Sequence, residues 1–219
     1  KLSNIQTNSG RGNYVLRMTN NLTCGKETGN KRINEELIGL YYQTLLSKPI
    51  TSGGIGCEGV CKVYDFGQYY INGENVPYIP KKDKAGNPLN PFETKVGVYA
   101  FLEYLPGGEL FHKIINDRWL KLPLEDRIYK TCGIIKNLLK ILKCIHDAGF
   151  VHLDLKPENI MMKYRYNDTK PPHLSEIGDE EWEFLRDTEI KLIDFGFTKS
   201  NHERKNGFFG TPGYISRDF

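Results

Sequence analysis

Apolar residues change their spacing along this chain, and each change marks an element. Residues 2–6 and 14–18 read as short strands separated by a polar, glycine-containing turn over 7–13, so the chain opens on a hairpin. Inward positions at Ile33, Leu37, Leu40, Tyr41, Thr44 and Leu45 then follow the spacing of one helical face, with Pro49 beyond its end, predicting a helix over 33–46. Residues 60–66 and 96–104 return to strand character. Between them, 72–95 is rich in Pro, Lys, Asn and Gly and reads as an elaborated loop or a long hairpin tip.

After Pro106-Gly107-Gly108 the pattern becomes helical. Ile128, Cys132, Ile135, Leu138, Leu139, Leu142 and Ile145 predict a long amphipathic helix ending near Gly149. Residues 163–189 are polar and carry Asp179-Glu180-Glu181 before Trp182, the pattern of an insertion with one short helix. Residues 189–193 read as a strand, and no internal repeat is visible.

With 219 residues and 39% hydrophobic content, the chain can bury a core in one or two compact units. Its 30 basic and 27 acidic residues leave a formal charge of +3, too balanced for a nucleic-acid or membrane footprint, so a phosphate ligand would have to be held locally. No run reaches the length of a membrane span, and the first residues lack a signal peptide's apolar stretch. A chain opening on Lys1 is expected to have lost its original start. Cysteines at 24, 57, 61, 132 and 144 form no CxxC pair, which suggests neither a disulfide framework nor a zinc site and favours a reducing cytoplasm or nucleus. Cys132 and Cys144, on the apolar helical stripe, are expected to be buried, inert thiols; Cys57 and Cys61 read as incidental.

The chemistry concentrates in Val151-His152-Leu153-Asp154-Leu155-Lys156-Pro157-Glu158-Asn159 and in Asp194-Phe195-Gly196. These supply a proton acceptor, an amide ligand and a carboxylate ligand at spacings suited to phosphoryl transfer from Mg-ATP to a protein hydroxyl. Taken alone, each triplet occurs by chance. Their order, behind a long helix and a strand respectively, does not.

At these motifs the chain resembles a eukaryotic-type Ser/Thr protein kinase, with Gly210-Thr211-Pro212-Gly213-Tyr214 matching the substrate-facing loop and 101–110 matching the interlobe hinge. Leu153, where many relatives carry arginine, is similar to the myosin-light-chain-kinase branch of calmodulin-dependent kinases. The resemblance implies a bilobal α+β fold: residues 1–105 a small antiparallel sheet with one helix, lacking the first strand and glycine-rich loop, and 106–219 a partial helical lobe. The second would hold the catalytic loop, the insertion at 163–189 and an activation segment over 194–219, with further helices expected beyond Phe219.

By the same resemblance, Asp154 would orient the attacking hydroxyl and accept its proton, and Lys156 would reach the transferred phosphate. Asn159 and Asp194 would hold magnesium through hard oxygen atoms. Arg17 would take the place of the family's strand lysine and pair with Glu36, keeping the charge but not the geometry of a lysine. Backbone groups of Glu103 and Leu105 would meet adenine, Glu109 would approach ribose, and Val15 with Met161 would sandwich the base beside Leu102. For Val15, Met161 and Leu102, plain core packing is the competing reading.

Gly10-Arg11-Gly12 lies too close to Tyr14 to be the glycine-rich loop and reads as a turn. Leu153 would leave an activation-loop phosphate without its arginine, and Gly207 stands at the usual acceptor position; Thr198 and Ser200 remain as exposed candidates. Ser216-Arg217-Asp218 replaces the family's Ala-Pro-Glu. The implied activity is transfer of the ATP γ-phosphate to a protein Ser or Thr. Two other readings stay open: a kinase-fold binding module without useful turnover, favoured by Arg17 and Ser216-Arg217-Asp218, and a small-molecule kinase, opposed by Lys156 and Gly210-Thr211-Pro212-Gly213-Tyr214.

Overall fold

The structure, a computed structural model, describes residues 3–5, 14–19, 27–71, 77–78, 84–85, 95–203 and 209–215. The expected turn over 7–13, Gly207 and Ser216-Arg217-Asp218 lie outside the described residues, as does most of 72–95. The chain forms two compact units: Lys1–Thr44 with Lys62–Tyr104, and Leu45–Cys61 with Leu105–Phe219. Residues 45–61, which a cut at 105 would leave in the first unit, belong to the second.

The first unit is an antiparallel sheet of β1 (Ser3–Ile5), β2 (Tyr14–Met18), β3 (Val63–Ile71), β4 (Pro77–Tyr78) and β5 (Lys95–Glu103), joined by helix α1 (Glu27–Ser47). Its strand order is β1-β2-β5-β3-β4. Alternation along a strand separates its two faces. On one, Val98 and Ala100 pack against Ile33 and Leu40 of α1, with Leu37 and Leu102 around them. On the other, Tyr99 lies with Tyr69, flanked by Leu16, Met18 and Phe101. The strand expected over 60–66 starts later because Val60 instead makes a parallel bridge with Leu192.

In the second unit, α2 (Leu110–Ile114) and α3 (Asp117–Lys121) precede the long α4 (Leu124–Asp147). Two short ladders follow: β6 (Phe150–Val151) pairs with β9 (Lys199–Ser200), and β7 (Ile160–Met162) with β8 (Ile190–Leu192), all antiparallel. The insertion carries α5 (Asp179–Thr188), which packs on α4 where Gly133 leaves room for Phe184 and Thr188. The α4 helix ends as expected, with Gly149 at φ 81°. Its buried ridge, however, runs through Gly133, Ile134, Ile141 and Ile145, while Ile128, Ile135 and Leu139 of the predicted stripe are exposed. Helical spacing identifies an apolar face but not which of its residues a neighbour covers.

The cysteine expectation is overturned. Cys57 and Cys144 form a disulfide, with a Cα–Cα distance of 5.8 Å and a sequence separation of 87. Cys132 is exposed and Cys61 is buried. Motif spacing tests only local pairs, whereas this bridge depends on the fold bringing residues 45–61 against α4.

Candidate active site

Two loops of the second unit run between the same two ladders, and this fixes both ends of each. Residues 152–159 connect β6 to β7, and 193–198 connect β8 to β9. Within the first loop, Pro157–Asn159 forms a single 3-10 turn whose proline supplies the backbone angle for its start. A backbone bond from Ile193 N to Asn159 O, 2.9 Å long, ties the loops together one residue before Asp194. Among the described non-glycine residues, positive φ occurs at Leu153 (64°) and Asp194 (60°), one in each loop. Such backbone costs roughly 1–3 kcal/mol per residue and persists only where surrounding structure enforces it.

Asp154 is 4% exposed and nearly every direction around its carboxylate is occupied. Thr211 Oγ1 donates to Oδ1 at 2.7 Å, and Asn159 Nδ2 donates to Oδ2 at 2.9 Å. Lys156 Nζ lies 3.0 Å from Oδ2 and also donates to Thr211 Oγ1 at 2.6 Å. Burial pushes the carboxyl pKa up, but the hydrogen bonds from Thr211, Lys156 and Asn159, with the lysine charge, outweigh it and hold the group below its ordinary value. The product is a carboxylate kept ionised and aimed.

Thr211 was legible in the sequence only as part of a loop motif; the structure makes it a partner of both Asp154 and Lys156. Gly210 brings it there, passing so close to the Leu153 carbonyl that a Cβ would lie 2.7 Å from that oxygen, at a φ of 109° suited to glycine.

His152 is a second residue whose part emerges only in three dimensions. It is 2% exposed, packed edge-on against Phe195, with its Nε2 3.1 Å from Ile193 O and its Nδ1 accepting from Asp154 N at 3.3 Å. A ring that donates at Nε2 and accepts at Nδ1 is the neutral imidazole. Burial lowers its pKa against the opposing pull of the Ile193 carbonyl and the Asp194 and Asp154 charges, which agrees with that tautomer.

Other expected site residues fall separately in the two units. In the first, Arg17 forms an ion pair with Glu36, whose other oxygen accepts from Thr19 Oγ1 at 3.0 Å. Period-two alternation places Arg17 and Val15 on the α1 face of β2, with Val15 opposite Leu102 and Tyr14 opposite Glu103. Glu103 N donates to Lys62 O, and its Oε2 accepts from Lys62 N at 3.1 Å. In the second unit, Leu105 is buried, and Glu109 and Met161 are brought together in an antiparallel bridge beside the Met162 N to Gly108 O bond of 2.7 Å. Thr198, expected to be exposed, is 2% exposed: its N–H turns back to Phe195 O and draws the side chain inward. Ser200 is half-buried on β9.

The protein kinase domain family matches residues 88–218, and the chain belongs to it. Among curated proteins it is similar to the DNA damage response protein kinase DUN1 of Saccharomyces cerevisiae, at 32% identity over 127 residues, 57% of this chain and 23% of that protein. The human serine/threonine-protein kinase DCLK3 is 34% identical over 125 residues, 57% of this chain and 16% of the relative. Smooth muscle myosin light chain kinase of Gallus gallus is 32% identical over 130 residues, 58% of this chain and 6% of the relative. The chain thus spans less than a quarter of each of these proteins. Membership of the family implies ATP, typically with Mg2+, and protein substrates. No helix among the described residues is long and apolar enough to cross a membrane.

Proposed function

We propose that this chain carries the catalytic part of a Ser/Thr protein kinase, transferring the γ-phosphate of ATP to a protein hydroxyl. The observation that carries the reading is the Asp154 carboxylate, ionised and held by Lys156, Asn159 and Thr211. Asp154 orients the acceptor hydroxyl and takes its proton, while Lys156, charged and already beside it, balances the charge on the transferred phosphate. A lysine at this position, with relatives named as serine/threonine kinases, supports Ser or Thr as acceptor.

Asn159 and Asp194 suit magnesium. With Nδ2 of Asn159 donating to Asp154, the amide presents its oxygen, and Asp194, whose Oδ1 takes the Gly196 N–H at 3.3 Å, presents a second one. Among the described residues no three or more His, Cys, Asp or Glu side chains gather as a metal cage. Magnesium needs none, since one or two protein oxygens, phosphates and water complete its shell. When bound, it would neutralise charge on the phosphates.

Arg17, oriented by Glu36, serves the phosphates; Val15, Met161 and the backbone of Glu103 and Leu105 serve adenine; Glu109 serves ribose. The near-balanced charge supports a protein rather than a nucleic acid as substrate. The location proposed is a reducing cytoplasm or nucleus, where a disulfide such as Cys57–Cys144 would be transient. Arginine in place of the strand lysine favours a second reading, a binding module of kinase fold without useful turnover. Transfer of labelled phosphate from ATP to a basic peptide separates the two. Kinase action requires Asp154→Asn and Asp194→Ala to lose roughly 100-fold or more relative to wild type. An equal background in all three would reject the protein-kinase reading.

A further inference from the structure

The Cys57–Cys144 bridge lies where a covalent change can reach the second catalytic loop. Residues 57–61 are wedged between α4 and β8: Gly59 sits against Ile141 with no room for a Cβ, and Gly59 O accepts from Leu192 N at 2.8 Å. Cys61 N donates back to Leu192 O at 3.0 Å. Leu192 ends β8, and the next residue, Ile193, makes the bond to Asn159 O that precedes Asp194. One continuous run of contacts therefore leads from the disulfide to the backbone of Asp194.

The bridge is also open to attack. Cys57 is 2% exposed and Cys144 half-buried, and both line a groove of about 550 Å³ together with Lys140, Lys163 and Glu189. A thiolate entering that groove reaches the bridge, of which Cys144 is the more exposed half. Disulfides are rare and transient in compartments that keep thiols reduced, the location proposed above.

We propose that Cys57–Cys144 is a reversible redox staple, opened by a dithiol reductant and re-formed by oxidation, and that it sets the rigidity of residues 190–194. One reductant thiolate attacks Cys144 Sγ, forming a mixed disulfide and releasing Cys57 as a thiolate that takes up a proton. The reductant's second thiol then closes its own disulfide and releases Cys144. Two electrons and two protons pass to the protein, and the dithiol leaves oxidised. With the bridge open, residues 57–61 keep their hydrogen bonds to Leu192 but lose the covalent hold on α4. The consequence for phosphate transfer rests on the function proposed above for Asp194; the staple itself does not.

The test is hydrogen exchange of the whole chain, folded, in buffers poised from oxidised to reduced dithiothreitol, with the bridge followed by peptide mapping. Opening should occur without global unfolding, accelerate exchange at 57–61 and 190–194 by about tenfold or more, and reverse on oxidation. Cys57→Ser and Cys144→Ser should match the reduced state, and Cys132→Ser should titrate like wild type. The proposal is overturned if the bridge fails to form under oxidation, opens only on unfolding, or opens with exchange at 190–194 unchanged. Should the serine variants not fold, the wild-type titration alone decides. Absence of peptide phosphorylation in both redox states, with the staple behaving as described, would reject the kinase reading and leave the staple standing.

Discussion

A buried imidazole beside a carboxylate gives the site an acid limit of its own. His152 is neutral because Asp154 N–H points at its Nδ1, and its folded pKa lies below the ordinary 6.5. The unfolded chain therefore binds the proton more readily, and the stability from the neutral ring is complete above about pH 6.5, then lost as pH falls toward the folded pKa. Wild type should lose up to about 1.4 kcal/mol per pH unit in this window by chemical denaturation, and His152→Gln should lose that slope. Asp154 and Asp187, whose pKa values are depressed, act only below about pH 4 and leave the window clean. A slope unchanged by the substitution would show that the ring does not govern it.

Among elements, the insertion helix α5 is tied down by charge as well as by packing. Asp187 accepts from Lys113 Nζ of α2 at 2.9 Å through Oδ1 and from Lys130 Nζ of α4 at 2.6 Å through Oδ2. The two lysine side chains are only 19% and 18% exposed, so removing the carboxylate strands two poorly solvated ammonium groups. Asp187→Ala should destabilise the protein by about 3–5 kcal/mol, read from the urea midpoint. A loss below about 1 kcal/mol would mean the pairs behave as surface salt bridges. The acidic run Asp179-Glu180-Glu181 marked this helix in the sequence by suiting its N-terminus, whereas Asp187, which anchors it, stood out by no local pattern.

For the whole molecule, the disulfide closes in the second unit the excursion through which the chain contributes Lys62–Tyr104 to the first. With 87 residues of separation, the unfolded chain loses substantial freedom when the bond is present. The paired variant Cys57→Ala with Cys144→Ala should therefore be less stable than oxidised wild type by roughly 2–4 kcal/mol in calorimetry. A difference near zero would mean that strain in the native state cancels the entropic gain.

What the sequence determined by itself was the order and type of the longer elements, though not the short α2, α3, β4, β6, β7 and β9, and the chemistry of their loops. Strand and helix periods, Gly149 at a helix end and the two motifs around Asp154 and Asp194 are local properties, set by backbone sterics and by residue type. Arg17 and Glu36 were also legible, through the family resemblance and its separation between a strand cation and a helix glutamate, with helical spacing selecting Glu36 over Glu35. Tertiary structure decided the rest, since it turns on which distant segments meet. Packing put Thr211 on Asp154, fixed the tautomer of His152, drew Thr198 inward, chose which side of α4 is buried, and joined Cys57 to Cys144 across 87 residues. Each depends on free energy gained only when non-local contacts close, and no window of neighbouring residues carries that information.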